Sequence, residues 1–395
     1  MQTTHPELFD IAIAGAGIVG ATLAHALAPR VRVLLLEAEA APGYHATGRS
    51  AALYAPSYGP PQVRALTRAS RAFFDAPPAG FASVPLLKPR PTLFVGGPAD
   101  HGALRNLHQS LLDSGTAAEL ISGAEARRRV PVLRAEACTL ALLDPGSSDI
   151  DVDALLQGCL RSARAAGARL VTDARIVALQ RQTDTWSIDT QSGQSFQTRV
   201  IVNAAGAWAD ELALLAGAVP VGLQPCRRSA FLFEAPPGLD TSAWPAIVAA
   251  DESWYIKPDA GLLLGSPANA DPVHPHDVVA EELDVALGIH RIEAATTLQI
   301  RRPRSTWAGL RSFVASGEPV CGFDPAVPGF FWAAALGGYG IQGSPAFGQL
   351  CVSLLLGEAL PAHLVAQGLD LRALQPVHAL RSDTAEPLGA LRTPP

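Results

Sequence analysis

Apolar positions repeat along the chain in two periods, and the way those periods alternate sets the expected architecture. Phe9–Ala14 is almost continuously apolar, Gly17–Ala28 has the spacing of a helix that stops before Pro29, and Val31–Leu36 is a second strand-like run. Two strands buried on both faces with a helix between them form the β-α-β unit of a parallel sheet. Residues 43–58, "GYHATGRSAALYAPSY", turn small and polar and predict a long functional loop. Helical spacing returns with Val63, Leu66, Phe73 and Phe74 in "PQVRALTRASRAFFD".

Farther along, "PTLFVGG" predicts a strand, while "DHGALRNLHQSLLDSG" and "GAEARRRVP" predict helices. "DIDVDALLQGCLRSARAAGARLV" predicts a capped helix feeding a strand. "RIVALQ", "TWSIDT" and "RVIVNAAG" read as three strands, the last running into helical "AWADELALLAG". From about Val221 to Phe313 the texture becomes β-rich, with "RRSAFLFEA", "AIVAA", "SWYIKP", "GLLLGS" and "TWAGLRSFV" around one helical stretch. That change predicts a second domain on a mainly antiparallel sheet, beside a Rossmann-like α/β domain, so the chain is α+β overall. "GFFWAAALGGYGIQGSPAFGQLCVSLLLG" then repeats the opening phrase of strand, glycine turn and helix.

The chain has 395 residues, enough for two intertwined domains. With 48% hydrophobic and 17% charged residues, and Gly and Pro dispersed, its composition is that of a globular, loop-rich protein. A net charge of −6, with basic residues interleaved among apolar ones, argues against nucleic acid or an anionic lipid face as partner. Cys138, Cys159, Cys226, Cys321 and Cys351 show no metal spacing and read as free thiols in a reducing cytosol, with no metal site expected. "MQTTHPELFD" has no leader pattern, and glycines interrupt the apolar run of residues 11–28, so no spanning helix or integral membrane contact is expected.

Gly15, Gly17 and Gly20 form GxGxxG between strand and helix, where they allow a tight turn, a close approach to pyrophosphate and helix–strand packing. Glu37 ends the second strand, where its carboxylate can accept from ribose hydroxyls. NAD and FAD both satisfy this pattern. The second glycine element, Gly337, Gly338 and Gly340, offers another helix N-terminus to one extended ligand and favours FAD. Arg311 shares a strand face with Trp307 and Phe313, where a lone guanidinium is costly, so a substrate carboxylate or an Asp/Glu partner is expected. Arg227 and Arg228 point to opposite faces, and both faces carry apolar neighbours, so periodicity does not choose between them.

"GYHATGRSAA", "DIDVDALLQG", "VNAAGAWAD", "LQPCRRSAFLF", "DESWYIKPDAG", "TWAGLRSFV" and "GGYGIQ" are spread over nearly the whole chain. Through them the sequence resembles the FAD-dependent D-amino-acid oxidase and dehydrogenase superfamily, bacterial D-arginine dehydrogenase most closely. The resemblance implies a FAD-binding domain assembled from residues 1–52, 146–217 and 319–375, and a substrate domain from 53–145 and 218–318. It implies hydride transfer from the Cα of a D-amino acid to flavin N5, giving an imine that hydrolyses to a keto acid. Arg311 and Arg228 would bind the carboxylate, Tyr58 would meet the amine, Tyr255 would close over the carboxylate, and the Gly338 carbonyl would accept from the amine. By residue type alone both tyrosines also read as packed aromatics. FAD contacts are further implied at Ile18, Ala38, Thr47, Gly48, Arg49, Ser50 and Ala51, and at Val177, Gly206, Trp208, Tyr339, Ile341 and Gln342.

Several positions depart from the D-arginine enzymes. Leu53 aligns with their active-site histidine, Thr92 with the acid that grips the guanidinium, Ala246 with a methionine and Leu336 with a polar residue; Val248 completes the specificity set. Loss of the acid predicts neutral, apolar or aromatic D-amino acids in preference to D-arginine, with Thr92 leaving D-Met and D-Gln open. Cys321 lies where some superfamily amine oxidases attach flavin covalently, but the closest relative lacks it and no such link is expected. A quinone or dye is the expected electron acceptor, with O₂ the alternative. Rival readings are oxidation of secondary amines or 2-hydroxy acids, and a FAD-binding protein without chemistry. The expected state is a monomer or weak dimer, cytoplasmic or peripheral to the inner membrane.

Overall fold

The computed structural model describes residues 7–376, so the first six residues of the expected FAD domain and of the stretch read for a leader lie outside the described residues. Leu8–Ala14 is central in an eight-stranded sheet, parallel to Val33–Leu36 on one side and to Ser195–Asn203 on the other. Arg169–Val171 and Phe330–Ala334 extend the parallel part, while Ile176–Gln182, Thr185–Thr190 and Val320–Phe323 pair antiparallel at its margins. All four residues of Val33–Leu36 and all five of Phe330–Ala334 are buried, as apolar strands covered on both faces require.

Helix Ile18–Leu27 packs between helices Val152–Ala165 and Gly340–Leu356. Its Leu23 and Leu27 meet Leu155, Cys159, Phe347 and Leu350 in one core, which explains the apolar spacing of all three helices. Asp151 caps Val152–Ala165 by accepting from the Ala154 amide at 2.8 Å. No helix among the described residues is long and apolar enough to cross a membrane.

The second sheet has nine strands and is antiparallel except where Ala246–Ala249 runs parallel to Thr92–Gly96. Its middle strands are Gln224–Phe233, Leu262–Ser266, Tyr255–Asp259 and Ala246–Ala249, and Ser305–Phe313 lies along the other edge of Gln224–Phe233. Glu119–Ser122, Leu140–Asp144 and Asp271–Pro272 join this sheet without having been expected as strands.

Two features cut across the expected domain division. Leu53–Tyr54 and Leu87–Pro89, assigned by sequence to the substrate domain, pair with Ser148–Ile150 of the FAD domain in a separate three-stranded sheet. Helix Pro61–Asp75, likewise assigned to the substrate domain, instead packs on helix Gly340–Leu356. The apolar face of Pro61–Asp75 puts Leu66, Ala69 and Phe74 into the same core as Leu23 and Leu350.

Candidate active site

The first glycine element forms where strand Leu8–Ala14 delivers the chain to helix Ile18–Leu27. Gly15 sits at φ 100°, and its amide donates to the Leu36 carbonyl at 2.7 Å. A Cβ at Gly20 would run into the Gly15 carbonyl oxygen, so the third glycine sets how closely the helix meets the turn. Glu37 is buried, and its carboxylate accepts from the Ala16 amide at 2.8 Å and the Glu39 amide at 3.0 Å. It therefore braces the glycine loop as well as lining the cleft. Thr47 reaches from the polar loop to the helix start, its Oγ1 accepting from the Ile18 amide at 3.0 Å.

One cavity of about 410 Å³ joins this element to the second glycine turn and to one face of the nine-stranded sheet. Gly15, Gly17, Ile18, Glu37, Ala38, Thr47, Arg49, Ser50, Ala51, Gly206 and Trp208 line one part of it. Gly337, Gly338, Gly340, Ile341 and Gln342 line the other. The Gln342 Oε1 accepts from the Ala55 amide at 2.9 Å, while its Nε2 is buried without a partner. A cleft spanning two glycine turns and two helix N-termini, with a spare amide donor at Gln342, fits an extended dinucleotide such as FAD.

Four expected cofactor positions do not line the cavity. Gly20 supports helix packing, and the Gly48 amide closes the loop turn on the Gly43 carbonyl at 2.8 Å. Val177 lies outward, 46% exposed, because the register shifts between Ile176 and Ala178, and Ile176 lines the cavity instead. The Tyr339 ring packs edge-on against Tyr58, with centroids 5.0 Å apart, and the Arg311 guanidinium sits 5.5 Å from its centroid. Cys321 is buried in the core with Cys351 and does not line the cavity, although its strand partner Ala333 does.

The polar loop is latched to the substrate side. Arg49 donates to the Val278 carbonyl at 2.8 Å and the Ala308 carbonyl at 3.1 Å, and pairs with Asp277 at 2.5 Å. Tyr44 donates to the same Asp277 at 3.0 Å and lies beneath the Arg49 guanidinium. Asp277→Asn should loosen this closure and speed FAD release severalfold, read as the rate of flavin fluorescence recovery on dilution. An unchanged rate would show that the latch does not retain the cofactor.

On the substrate side, Arg311 of Ser305–Phe313 lines the cavity together with its neighbours Leu310 and Ser312, whereas Trp307 and Phe313, expected on its face, do not. Arg311 donates to the Tyr58 hydroxyl at 3.2 Å and stacks over the Phe313 and Tyr339 rings. Arg228 also lines the cavity, one strand away on Gln224–Phe233, and donates to the Asn269 carbonyl. Burial and the nearby Arg311 charge push the Arg228 guanidinium below its ordinary pKa. Among the described residues neither arginine has a carboxylate within ion-pair distance, whereas Arg227 faces away and pairs with Asp271, Glu281 and Asp284. Acidic residues distant in sequence thus decide the choice that periodicity left open.

Gly338 lies so close to Arg311 that a Cβ there would strike the guanidinium. Tyr58, Tyr255, Leu53, Thr92, Ala246, Val248 and Leu336 also line the cavity. Sequence reasoning missed Glu252 and Lys257, which line it too. Lys257 carried an available signal, since it follows Tyr255 by two residues on one strand and so shares its face. Glu252, at φ 55° in the preceding turn, carried none.

Comparison with known proteins supplies a family and a fold. The family model described as FAD dependent oxidoreductase, DAO, matches residues 10–354. Glycine oxidase of Geobacillus kaustophilus (strain HTA426) is 26% identical over 245 residues, covering 61% of this chain and 62% of that protein. Mitochondrial sarcosine dehydrogenase of Homo sapiens is 25% identical over 251 residues, covering 60% of this chain and 27% of that protein. The matches thus span less than two thirds of either relative. The crystal structure of glycine oxidase from Geobacillus kaustophilus shares the fold, with a TM-score of 0.79 over 89% of this chain and 95% of that one, at 23% identity.

Proposed function

The chain belongs to the DAO family of FAD-dependent oxidoreductases, and from that premise we propose that it oxidatively deaminates D-amino acids with neutral side chains. The observation that carries this reading is the pair Arg228 and Arg311, both lining the cavity beside Gly338 and both lacking a carboxylate partner among the described residues. Two guanidinium forks on one wall are suited to a substrate carboxylate, which would form the direct ion pair that Glu252, near enough to feel both charges, does not make.

FAD, when bound, supplies the two-electron oxidation. The residues of the chain hold the amino acid for it. Arg311 and Arg228 fix the carboxylate, Tyr58 steadies Arg311 and lies toward the amine, and the Gly338 carbonyl accepts an amine N–H so that Cα–H is directed to the cofactor. Tyr255 and the sheet face exclude water. Loss of the Cα–H as hydride and of one N–H proton leaves a C=N bond, and water then converts the imine to a keto acid and ammonium. A quinone or dye would reoxidise the protein. Five free cysteines, all buried, are in keeping with a reducing cytosol.

The resemblance to D-arginine dehydrogenase supports the D configuration, and Leu53 and Thr92 on the cavity wall support a neutral side chain over a guanidinium. Sarcosine, in the names of mitochondrial relatives from Homo sapiens and Mus musculus, is the second reading. Steady-state specificity constants over a panel of D-amino acids and sarcosine test the proposal. Neutral D-amino acids should exceed D-arginine by about 100-fold, the discrimination expected when a desolvated cation finds no partner. An optimum at D-arginine, D-lysine or sarcosine would contradict it.

A further inference from the structure

The far wall of the cavity carries a polar cluster that the carboxylate clamp and cofactor cradle leave unused. Thr92 stands directly opposite Ala246 across adjacent strands. Ala246–Ala249 pairs in turn with Tyr255–Asp259 through Val248 opposite Tyr255 and Ile247 opposite Ile256, which brings Lys257 level with Ala246. Thr92, Ala246 and Lys257 therefore form one cross-strand row, and all three line the cavity. Through Leu264 the register sets Lys257 level with Leu232, four residues along the strand from Arg228, so the two Cα positions lie roughly 17 Å apart at sheet spacing, with both long side chains lining the cavity between.

Lys257 is almost wholly buried, with Nζ at 2.9 Å from Asp149 and 3.3 Å from Asp259. Asp149 also takes Arg90 at 2.5 Å, and the buried Asp144, opposite Thr92 on the next strand, accepts from the Gly146 amide and the Ser147 hydroxyl, so two cations stand among three carboxylates. One Lys257 ammonium N–H donates to Asp149, while Asp259 stands at ion-pair distance without a hydrogen bond, so donor capacity remains. The Thr92 Oγ1 is buried with no partner. A buried hydroxyl without a partner is costly in an apolar wall. It becomes useful where a ligand completes it.

We propose that Lys257 and Thr92 form a distal subsite for a neutral side-chain carboxamide, which makes D-glutamine and related ω-amides the preferred substrates. The carbonyl oxygen accepts from Lys257, and the amide N–H donates to the Thr92 hydroxyl. A cationic side chain would meet Lys257, and a second carboxylate would add to the negative charge of Asp144, Asp149 and Asp259. This inference rests on the amino-acid reading above and narrows it from neutral side chains in general to one hydrogen-bonding class.

The test compares D-glutamine with D-norleucine, of similar length but apolar, in the wild-type FAD protein and in Thr92→Val and Thr92→Ser. The wild-type ratio of specificity constants should favour D-glutamine by at least about tenfold, the worth of a buried hydrogen-bonded pair. Thr92→Val should remove most of that ratio, and Thr92→Ser, which keeps the hydroxyl, should retain it. A wild-type ratio near one, or a ratio unchanged in Thr92→Val, overturns the subsite. If neither compound is oxidised, thermal unfolding separates the two ideas. A larger stabilisation by D-glutamine than by D-norleucine that disappears in Thr92→Val supports the subsite while the deamination reading fails; equal stabilisation overturns the subsite as well.

Discussion

Replacing Arg311 by methionine is expected to lower kcat/KM for every amino-acid substrate by about 30- to 4,000-fold, while the protein still folds and holds FAD. The side chain has no carboxylate partner to strand and stands on a strand whose ladder with Gln224–Phe233 does not depend on it. Its aromatic neighbours Phe313 and Tyr339 accept a thioether in place of the guanidinium. Truncating one partner of a desolvated, hydrogen-bonded charge pair costs about 2–5 kcal/mol, which sets the expected range at roughly tenfold per 1.4 kcal/mol. Arg311→Lys keeps the charge without the fork and should recover only part of the loss. Steady-state kinetics, with flavin content from absorbance, check both variants; a loss below tenfold for Arg311→Met would remove the residue from carboxylate binding.

Gly338→Ala probes the same clamp without altering its chemistry. One methyl at this position meets the Arg311 guanidinium directly, so the fork must move before substrate can use it. A displacement of about 1 Å in a positioning group can cost about 100-fold, and that is the expected fall in kcat/KM. Because the damage passes through Arg311, the double variant with Arg311→Met should be little worse than Arg311→Met alone. Full additivity of the two losses would show that Gly338 acts on something other than the arginine.

The β-α-β opening was legible because a buried parallel strand, a glycine turn and an acid at the second strand end leave separate marks in the sequence. Alternation along its strand set Arg311 beside Phe313, whose ring it stacks over, but not toward the cavity, which Leu310 and Ser312 line as well. Other assignments needed contacts that no local pattern encodes. Arg227 and Arg228 could be separated only by Asp271, Glu281 and Asp284, which lie more than forty residues downstream and gather around Arg227. Helix Pro61–Asp75 announced an apolar face but not which core would receive it, and it joined the nucleotide-binding layer. Val177, implied by the resemblance, turns its side chain outward because a single irregularity in its strand exchanges inward and outward positions, and Ile176 lines the cavity beside it. Lys257 escaped notice for a different reason. A lysine in a strand normally suggests solvent, and only its pairing with Asp149 and Asp259 explains its place in the wall.

Anaerobic mixing of the FAD-loaded protein with single enantiomers of neutral amino acids tests the central claim most directly, because bleaching of the flavin's visible absorption reports oxidation of the amino acid without assuming any electron acceptor. D-glutamine and D-methionine should bleach it while their L-enantiomers leave it oxidised. Bleaching by the L-enantiomers, or by no amino acid at all, would contradict the account.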